Sequence, residues 1–141
     1  MKFLAVFLII SSVMAVLNAG ASNEEKMAAM KKIVMDCAAK ENASQADLEE
    51  LFAKKPATSP TGKCHRACMH ETFGTMKDNK FNPDGFMAMI KMSTDGDEAK
   101  MKIAQEVVKD CADKMDADRC EAGAKICTCL AGSTKARGLE M

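Results

Sequence analysis

The sequence predicts an all-α protein of about six helices, and three observations support that fold class. Apolar residues recur at helical spacing along the chain, and capping residues or proline precede several of these runs. No segment alternates like a strand, and the two Asp-Gly pairs lie between helical segments rather than between strands. In the first predicted helix, Glu24 to Lys40, the apolar face consists of Met27, Met30, Val34, Cys37 and Ala38.

Capping and helix-breaking residues set the limits of the first three predicted helices. Asn23 is placed to cap the first helix. The second helix begins with the segment 44–47 (SQAD), which resembles a capping box, and ends at the Lys-Lys-Pro segment 54–56. A loop containing Pro and Gly is predicted at 57–62, and the third helix covers 63–77.

The same reasoning places the last three helices. Asn82 is predicted to cap the fourth helix, with Pro83 at its first position, where the missing N–H does no harm. The fifth helix covers 97–114 and the sixth 117–131. We expect the sixth helix to stop at Gly132, because glycine readily adopts the left-handed conformation that ends many helices.

Residues 1–21 have the composition of a secretory signal peptide. A positive start at Lys2 is followed by fifteen uncharged residues at 3–17 and then by Ala19-Gly20-Ala21, which fits a cleavage site. We place the cut after Ala21, with Ala19 as the alternative. The apolar run is shorter than the roughly 20 residues that a membrane-spanning helix needs. The sequence therefore predicts a secreted protein with a single domain at 22–141.

The charge balance of the mature chain excludes several classes of partner. Removing residues 1–21 removes only Lys2 among the charged residues, which leaves 19 basic and 20 acidic side chains. Nucleic acid and anionic membranes both require a strongly basic surface, so we expect neither as a partner. No later segment is long and apolar enough to span a bilayer. Seven cysteines in a secreted chain indicate disulfides.

The spacing of the cysteines is the most specific signal in the sequence. With Cys127 set aside, the remaining six are separated by 26, 3, 42, 8 and 8 residues. In a secreted, all-helical chain of this length, that pattern resembles the insect odorant-binding proteins of the six-cysteine type, which include pheromone-binding and general-odorant-binding proteins. The resemblance covers the whole mature chain, and the short spacings, of 3, 8 and 8 residues, are its specific part.

This resemblance implies six helices around a buried apolar cavity, locked by three interlocked disulfides. It implies pairing of the first cysteine with the third, the second with the fifth and the fourth with the sixth. Spacing alone leaves the pairing open. Carried onto this chain, the implied bridges are Cys37–Cys68, Cys64–Cys120 and Cys111–Cys129.

Cys127 is additional to the six-cysteine pattern, and three interpretations compete. We favour a buried free thiol that packs as a small hydrophobe. It could also pair with another chain, or replace Cys120 or Cys129 in a bridge.

By the resemblance, the protein is a carrier of small hydrophobic molecules, odorants or pheromones, and not an enzyme. It would move them through sensory lymph or another body fluid to chemosensory receptors, as a monomer or weak homodimer, without a cofactor or a metal. Eleven methionines in the mature chain give an adaptable interior. Thr72 and Thr75 are candidate polar contacts. From helical periodicity, the predicted cavity lining consists of Phe73, Met76, Phe86, Met89, Ile90, Ile103, Val107 and Leu130.

Other functions have weaker support in the sequence. The runner-up is a lipid or hormone carrier of the same fold without an olfactory role, and the next is a ligand-free defence or structural protein. A zinc site would need ligands such as Cys64, Cys68 and His70, but the spacing of a structural zinc site is missing. No G-x-S-x-G motif is present, and neither histidine has an evident nucleophile as partner.

The C-terminal tail, residues 130–141, follows the last cysteine and is not pinned by a disulfide. We expect Leu139 and Met141 to fold back over the cavity mouth, with Lys135, Arg137 and Glu140 paired to charges on the helices. One hypothesis is that protonation of His65 or His70 repels Arg66, loosens the tail and releases ligand. The alternative is that both histidines are exposed and inert.

Overall fold

Six helices and one short β-hairpin make up the part of the chain that the structure, a computed structural model, describes, residues 20–139. The elements are α1 (Asn23–Glu41), α2 (Gln45–Phe52), α3 (Pro60–Thr72), β1 (Met76–Lys77), β2 (Lys80–Phe81), α4 (Pro83–Ser93), α5 (Glu98–Cys111) and α6 (Arg119–Ala136). The predicted all-α class is confirmed. The predicted signal peptide, apart from its last two residues, lies outside the described residues.

Helix α3 occupies the centre of the fold. It packs mainly against α6 and α1, while α5 packs between α6 and α4. The main core lies among α3, the hairpin, α4, α5 and α6, and a smaller cluster joins α1 to α3 around Ile33. In the close contact between α3 and α6, Gly123 lies directly against the backbone of Ala67.

Three disulfides tie these helices together. Cys37–Cys68 joins α1 to α3, Cys64–Cys120 joins α3 to α6, and Cys111–Cys129 joins α5 to α6. These are the pairs that the resemblance implied, so the pairing is confirmed. Each bridge also restricts the unfolded chain, which is the main way in which disulfides stabilise small domains in the chain-entropy model.

The first two helices begin with capping boxes. Ser22, not Asn23, caps α1: its Oγ accepts from the Glu25 N–H, and the Glu25 side chain accepts from the Ser22 N–H. Asn23 is instead the first helical residue. The capping box predicted for α2 is confirmed, because Ser44 and Asp47 satisfy each other's backbone N–H groups in the same way.

Helix α3 starts earlier and ends earlier than the predicted 63–77. Ser59 caps it by accepting from the Gly62 N–H, and Pro60 is its first residue, so half of the predicted loop at 57–62 is helical. The helix ends at Thr72, because the chain turns there into the hairpin. That hairpin is the one element that the sequence analysis did not predict.

The hairpin depends on an unusual two-residue turn. Asp78 and Asn79 both have positive φ, at 52° and 59°, and they connect Lys77 to its strand partner Lys80. Two left-handed residues match the twist of paired strands, and Asp and Asn tolerate this conformation better than other non-glycine residues. The turn contains no glycine, so the Asn-Gly or Asp-Gly signal typical of such turns is missing from the sequence at this point.

Helix α6 continues through Gly132 to Ala136, so the predicted stop at Gly132 is wrong. Gly138 ends the helix instead, with φ of 68°. The N–H of Leu139 bonds to the Thr134 carbonyl and the N–H of Gly138 to that of Lys135, which is a Schellman motif.

The remaining boundary corrections are smaller. Helix α5 begins after its cap, Asp97, and ends at Cys111, three residues before the predicted end. Asn82 precedes α4 as predicted, but its side chain does not cap the helix. It donates to the Gly74 carbonyl instead and so fastens α4 to the end of α3.

Candidate ligand site

Seven of the eight predicted lining residues lie together in the main core. Five are buried in it, while Met89 and Ile103 are half-buried and pack against it. Phe86, Ile90 and Val107 have no exposed surface. The five buried members are Met76, Phe86, Ile90, Val107 and Leu130.

Phe73 and Thr72 lie elsewhere. Phe73 is half-buried and packs against the smaller cluster, next to the Cys37–Cys68 bridge. Thr72 is exposed, and its hydroxyl donates to the Cys68 carbonyl at 2.8 Å. Helical periodicity assigned Phe73 to the lining because it extended α3 past its true end at Thr72. Thr72, predicted as a polar contact, lies on the exposed surface of α3 instead.

Thr75 brings a polar group into the interior. It is fully buried, and its Oγ1 lies 2.7 Å from His70 Nδ1 and 3.2 Å from the His70 carbonyl oxygen. Burial, and then the charge of Arg66, lower the pKa of His70 to about 4. His70 is therefore neutral at pH 5, and it does not supply the protonation that the release hypothesis requires.

The second histidine is also poorly placed for a pH response. His65 is fully buried, and its Nε2 donates to the Val34 carbonyl at 2.9 Å. Burial lowers its pKa as well. The alternative of exposed, inert histidines is likewise wrong, because His65 is buried and His70 is half-buried.

Arg66 is the residue that the sequence analysis undervalued. Its side chain is 1% exposed, and neither Nη1 nor Nη2 has a hydrogen-bond partner among the described residues. It lies between Cys64 and Cys68 on α3, a helix that packs against both α1 and α6. The cysteines on either side of Arg66 could have indicated its burial, because their disulfides anchor this turn of α3 to both α1 and α6.

Cys127 is the one free cysteine, because Cys120 and Cys129 both belong to bridges. It is half-buried on α6. Burial raises the pKa of its thiol, which therefore stays protonated at neutral pH.

The described part of the tail folds back as expected. Leu139 is buried in the main core. Arg137 forms an ion pair with Asp110 on α5, with Nη2 2.8 Å from Oδ2. Glu140 and Met141 lie outside the described residues. Leu139 thus packs in the main core, and Arg137 ties the end of α6 to α5.

Two open depressions lie at the surface between residues 20 and 139. One is bounded by Met115, Lys125 and Thr128, among others, and the other by Ile103, Gln105 and Arg137, among others. Of the predicted lining, only Ile103 borders either one.

Residues 20–139 contain neither a membrane-spanning helix nor a cluster of metal ligands. None of the helices there is long and apolar enough to cross a membrane. No group of three or more His, Cys, Asp or Glu side chains in this part of the chain is arranged to hold a metal ion.

The family assignment rests on sequence and fold together. The model of the PBP/GOBP family matches residues 19–132, which include the six bridged cysteines. The chain belongs to the PBP/GOBP family. Among its family relatives, general odorant-binding protein 28a of Drosophila melanogaster is 35% identical over 118 residues, 82% of each chain. General odorant-binding protein 19d of the same fly is 27% identical over 112 residues, which are 78% of this chain and 75% of the relative.

Solved structures agree with this assignment. Odorant-binding protein dmelOBP28a from Drosophila melanogaster matches 84% of this chain and 100% of its own, with a TM-score of 0.70 and 33% identity. The fatty acid binding protein OBP56a from the oral disk of the blowfly Phormia regina matches 84% and 99%, with a TM-score of 0.63. At 24% identity, the blowfly structure shows the fold alone. Both Drosophila relatives are named as general odorant-binding proteins.

Proposed function

We propose that this PBP/GOBP-family protein is a secreted carrier that takes small hydrophobic molecules, odorants or pheromones, into its main core and transports them to chemosensory receptors. The observation that carries the proposal is the continuous apolar core between α4, α5 and α6, to which seven of the predicted lining residues belong. Its walls are fixed by disulfides, whereas Met87, Met89 and Met101 pack at its half-buried edge.

Binding by partition follows from this arrangement. An apolar molecule leaves water for an apolar interior and gains roughly 25 cal/mol per Å² of surface buried. The methionine side chains at the edge of the core change rotamer to fit the shape of the ligand. Unbranched thioether chains do this at lower cost than rigid aromatic or β-branched chains. No bond is made or broken.

Secretion is part of the same proposal. The proposed cleavage after Ala21 makes Ser22 the first residue of the mature chain. Ser22 is also the cap of α1, and the fold contains no earlier helical residue among those described. Processing at this bond therefore leaves the folded domain complete. Expression in insect cells should yield protein in the medium, with a mature mass that begins at Ser22, and retention of residues 1–21 would contradict this part of the proposal.

A tryptophan reporter tests the carrier function directly, because the chain contains no Trp and no Tyr. Phe86→Trp places the only indole in the main core, where Phe86 is fully buried, and Phe52→Trp places it on α2, where Phe52 is 67% exposed. Dodecanol should change the emission of Phe86→Trp saturably at micromolar concentration and leave that of Phe52→Trp unchanged. Thermal melts confirm that both variants fold.

The outcomes separate the functions under consideration. No response from either variant would favour a ligand-free protein. Equal responses would show adsorption at the surface. A response confined to Phe86→Trp, in a protein whose transcript is absent from sensory tissue, would keep the carrier and replace its olfactory role with transport in another fluid.

A further inference from the structure

The apolar face of α1 is covered along only part of its length. The structure buries the last three of the five residues predicted to form this face, namely Val34, Cys37 and Ala38. The first two, Met27 and Met30, are 70% and 39% exposed. Met27 lies two turns before Val34 and Met30 two turns before Cys37, so both are on the same side of the helix as the buried residues. The first turns of α1 therefore present apolar side chains to solvent.

Two exposed charges of opposite sign lie on either side of Met27. Glu24 is one turn before it and Lys31 one turn after it, so the three residues form a stripe along the helix. Neither charge has an ion-pair partner between residues 20 and 139. We call Glu24, Met27, Met30 and Lys31 the α1 surface.

The order of these charges makes the α1 surface complementary to itself. In a dimer with a two-fold axis, every contact from residue i to residue j is accompanied by the reverse contact. When two copies of α1 lie antiparallel with the axis beside Met27, Glu24 of one subunit faces Lys31 of the partner subunit. The reverse contact follows from the symmetry, and the exposed methionines of the two subunits then cover one another.

The other charged residues at the start of α1 do not oppose this pairing, because each already has a partner within its own chain. Lys26 forms an ion pair with Asp95, with Nζ 3.0 Å from Oδ1. Glu25 accepts from the N–H of the residue that caps α1. Lys32 pairs with Asp36. Glu24 and Lys31 are therefore the charges left for a contact with a second molecule.

We infer that the α1 surface is a homodimer interface, in which α1 of one subunit packs antiparallel against α1 of its partner. A second copy is the occupant because the two free charges have opposite signs and lie on opposite sides of the apolar centre. An anionic membrane would require a surplus of basic residues, which this surface lacks. One helix face per subunit is smaller than a standard interface, so the dimer is weak, with a dissociation constant of roughly 10 µM to 1 mM.

The interface is separate from the proposed ligand site. Among the described residues, none of those that form the main core or pack at its edge belongs to α1. The inference therefore does not depend on the proposed function, and either one can fail without the other.

Charge reversal tests the inference. Sedimentation velocity at roughly 10 µM to 1 mM follows the mass of the mature chain carrying Cys127→Ser, a substitution that prevents a covalent dimer from being counted. This parent protein should dimerise reversibly. Glu24→Lys and Lys31→Glu should each weaken the dimer roughly tenfold, because each replaces two symmetry-related attractions by repulsions.

Mixing the two charge-reversed proteins tests the antiparallel arrangement itself. In a mixed dimer of Glu24→Lys with Lys31→Glu, both contacts again join opposite charges, so an equimolar mixture should dimerise about as well as the parent. The double variant Glu24→Lys/Lys31→Glu should recover dimerisation for the same reason. If neither the mixture nor the double variant recovers it, the proposed arrangement is wrong.

A matched pair of substitutions tests the apolar centre. Met27→Gln should weaken the dimer several-fold. Phe52→Gln should leave it unchanged, because Phe52 is similarly exposed, at 67%, but lies on α2. Far-ultraviolet circular dichroism checks that every variant is folded.

Three outcomes would overturn the inference. The parent could remain monomeric at the highest concentration. The dimer could persist undiminished in Met27→Gln and in both charge reversals, which would place the interface elsewhere. A monomeric parent could instead sediment with phosphatidylcholine vesicles and lose this property in Met27→Gln, which would assign the α1 surface to a lipid surface.

Discussion

Adding one methyl group at Gly123 should loosen the junction of α3 and α6. A Cβ built at Gly123 lies 2.4 Å from both the Cα and the N of Ala67, and 2.6 Å from its Cβ. Ordinary van der Waals contact begins at 3.4 Å, so the new methyl is about 1 Å too close to backbone that has no rotamer to change. The two helices would have to separate or slide.

The disulfide between these helices opposes that movement. Cys64 lies one turn before Ala67 on α3, and Cys120 one turn before Gly123 on α6. The bridge therefore holds the same two helix turns at a fixed separation. Overpacking in a core that can adjust costs about 1–3 kcal/mol, and we expect Gly123→Ala to cost at least the upper part of that range.

Gly132→Ala is the matched control, because Gly132 is exposed on the same helix and a Cβ there meets nothing within 4 Å. Alanine is the better helix former, so this variant should gain roughly 0.5–1 kcal/mol. Urea unfolding of both variants with the disulfides intact, followed by far-ultraviolet circular dichroism, measures the difference. A Gly123→Ala protein as stable as the wild type would refute the close packing of α3 and α6.

Three further predictions concern the cysteines and the buried titratable groups. Cys64→Ser should lower the free energy of unfolding by about 2–5 kcal/mol and Cys127→Ser by far less, because only the first breaks a bridge; equal losses in thermal melts would place Cys127 in a bridge. The pKa of Asp47 is lowered because hydrogen bonds from Ser59, Ser44 and Thr61 outweigh the opposing effect of burial. The ionised Asp47 therefore stabilises the folded protein above about pH 4, and this stabilisation is lost as the pH falls further. Asp47→Asn should therefore cost about 2 kcal/mol at pH 7 and reduce the acid sensitivity below pH 4, and unchanged urea midpoints at pH 7 would contradict this. The free energy of unfolding should also fall from pH 6.5 towards pH 4, by at most roughly 3 kcal/mol, because His70 takes up a proton at higher pH in the unfolded chain than in the folded protein. His70→Asn should flatten this part of the pH profile of stability. A profile equal to that of the wild type would show that another group titrates there.

A helix start can be predicted from the sequence when all of its capping groups lie within a few neighbouring residues. Ser44 and Asp47 satisfy each other within four residues, so the start of α2 needed no knowledge of the rest of the fold. The end of α6 was different, because Gly132 and Gly138 carry the same local signal. Gly138 ends the helix because Leu139 can then reach the main core, which is a tertiary contact.

The candidate site was predictable in its apolar part and not in its charged part. Met76, Phe86, Ile90, Val107 and Leu130 lie in one core because helical periodicity brings apolar residues to the inner face of each helix. Charged residues are expected at the surface, so nothing in the periodicity marked Arg66 as buried. The disulfide pairing came from the family resemblance, since spacing alone leaves it open.

The shape of the ligand space was not predictable from the sequence. The resemblance implies a cavity, and seven of the predicted lining residues are buried in the main core or pack against it. Whether a ligand space is open or closed depends on the rotamers of flexible side chains such as Met89, which the sequence does not specify.

Calorimetric titration of the wild-type protein with dodecanol at several temperatures tests most directly whether an apolar molecule enters the main core. Burial of a whole alkyl chain removes apolar surface from water and gives a negative heat-capacity change. The account predicts saturable binding of one ligand per chain with a clearly negative heat-capacity change. Heats that do not saturate, or a heat-capacity change indistinguishable from zero, would contradict it.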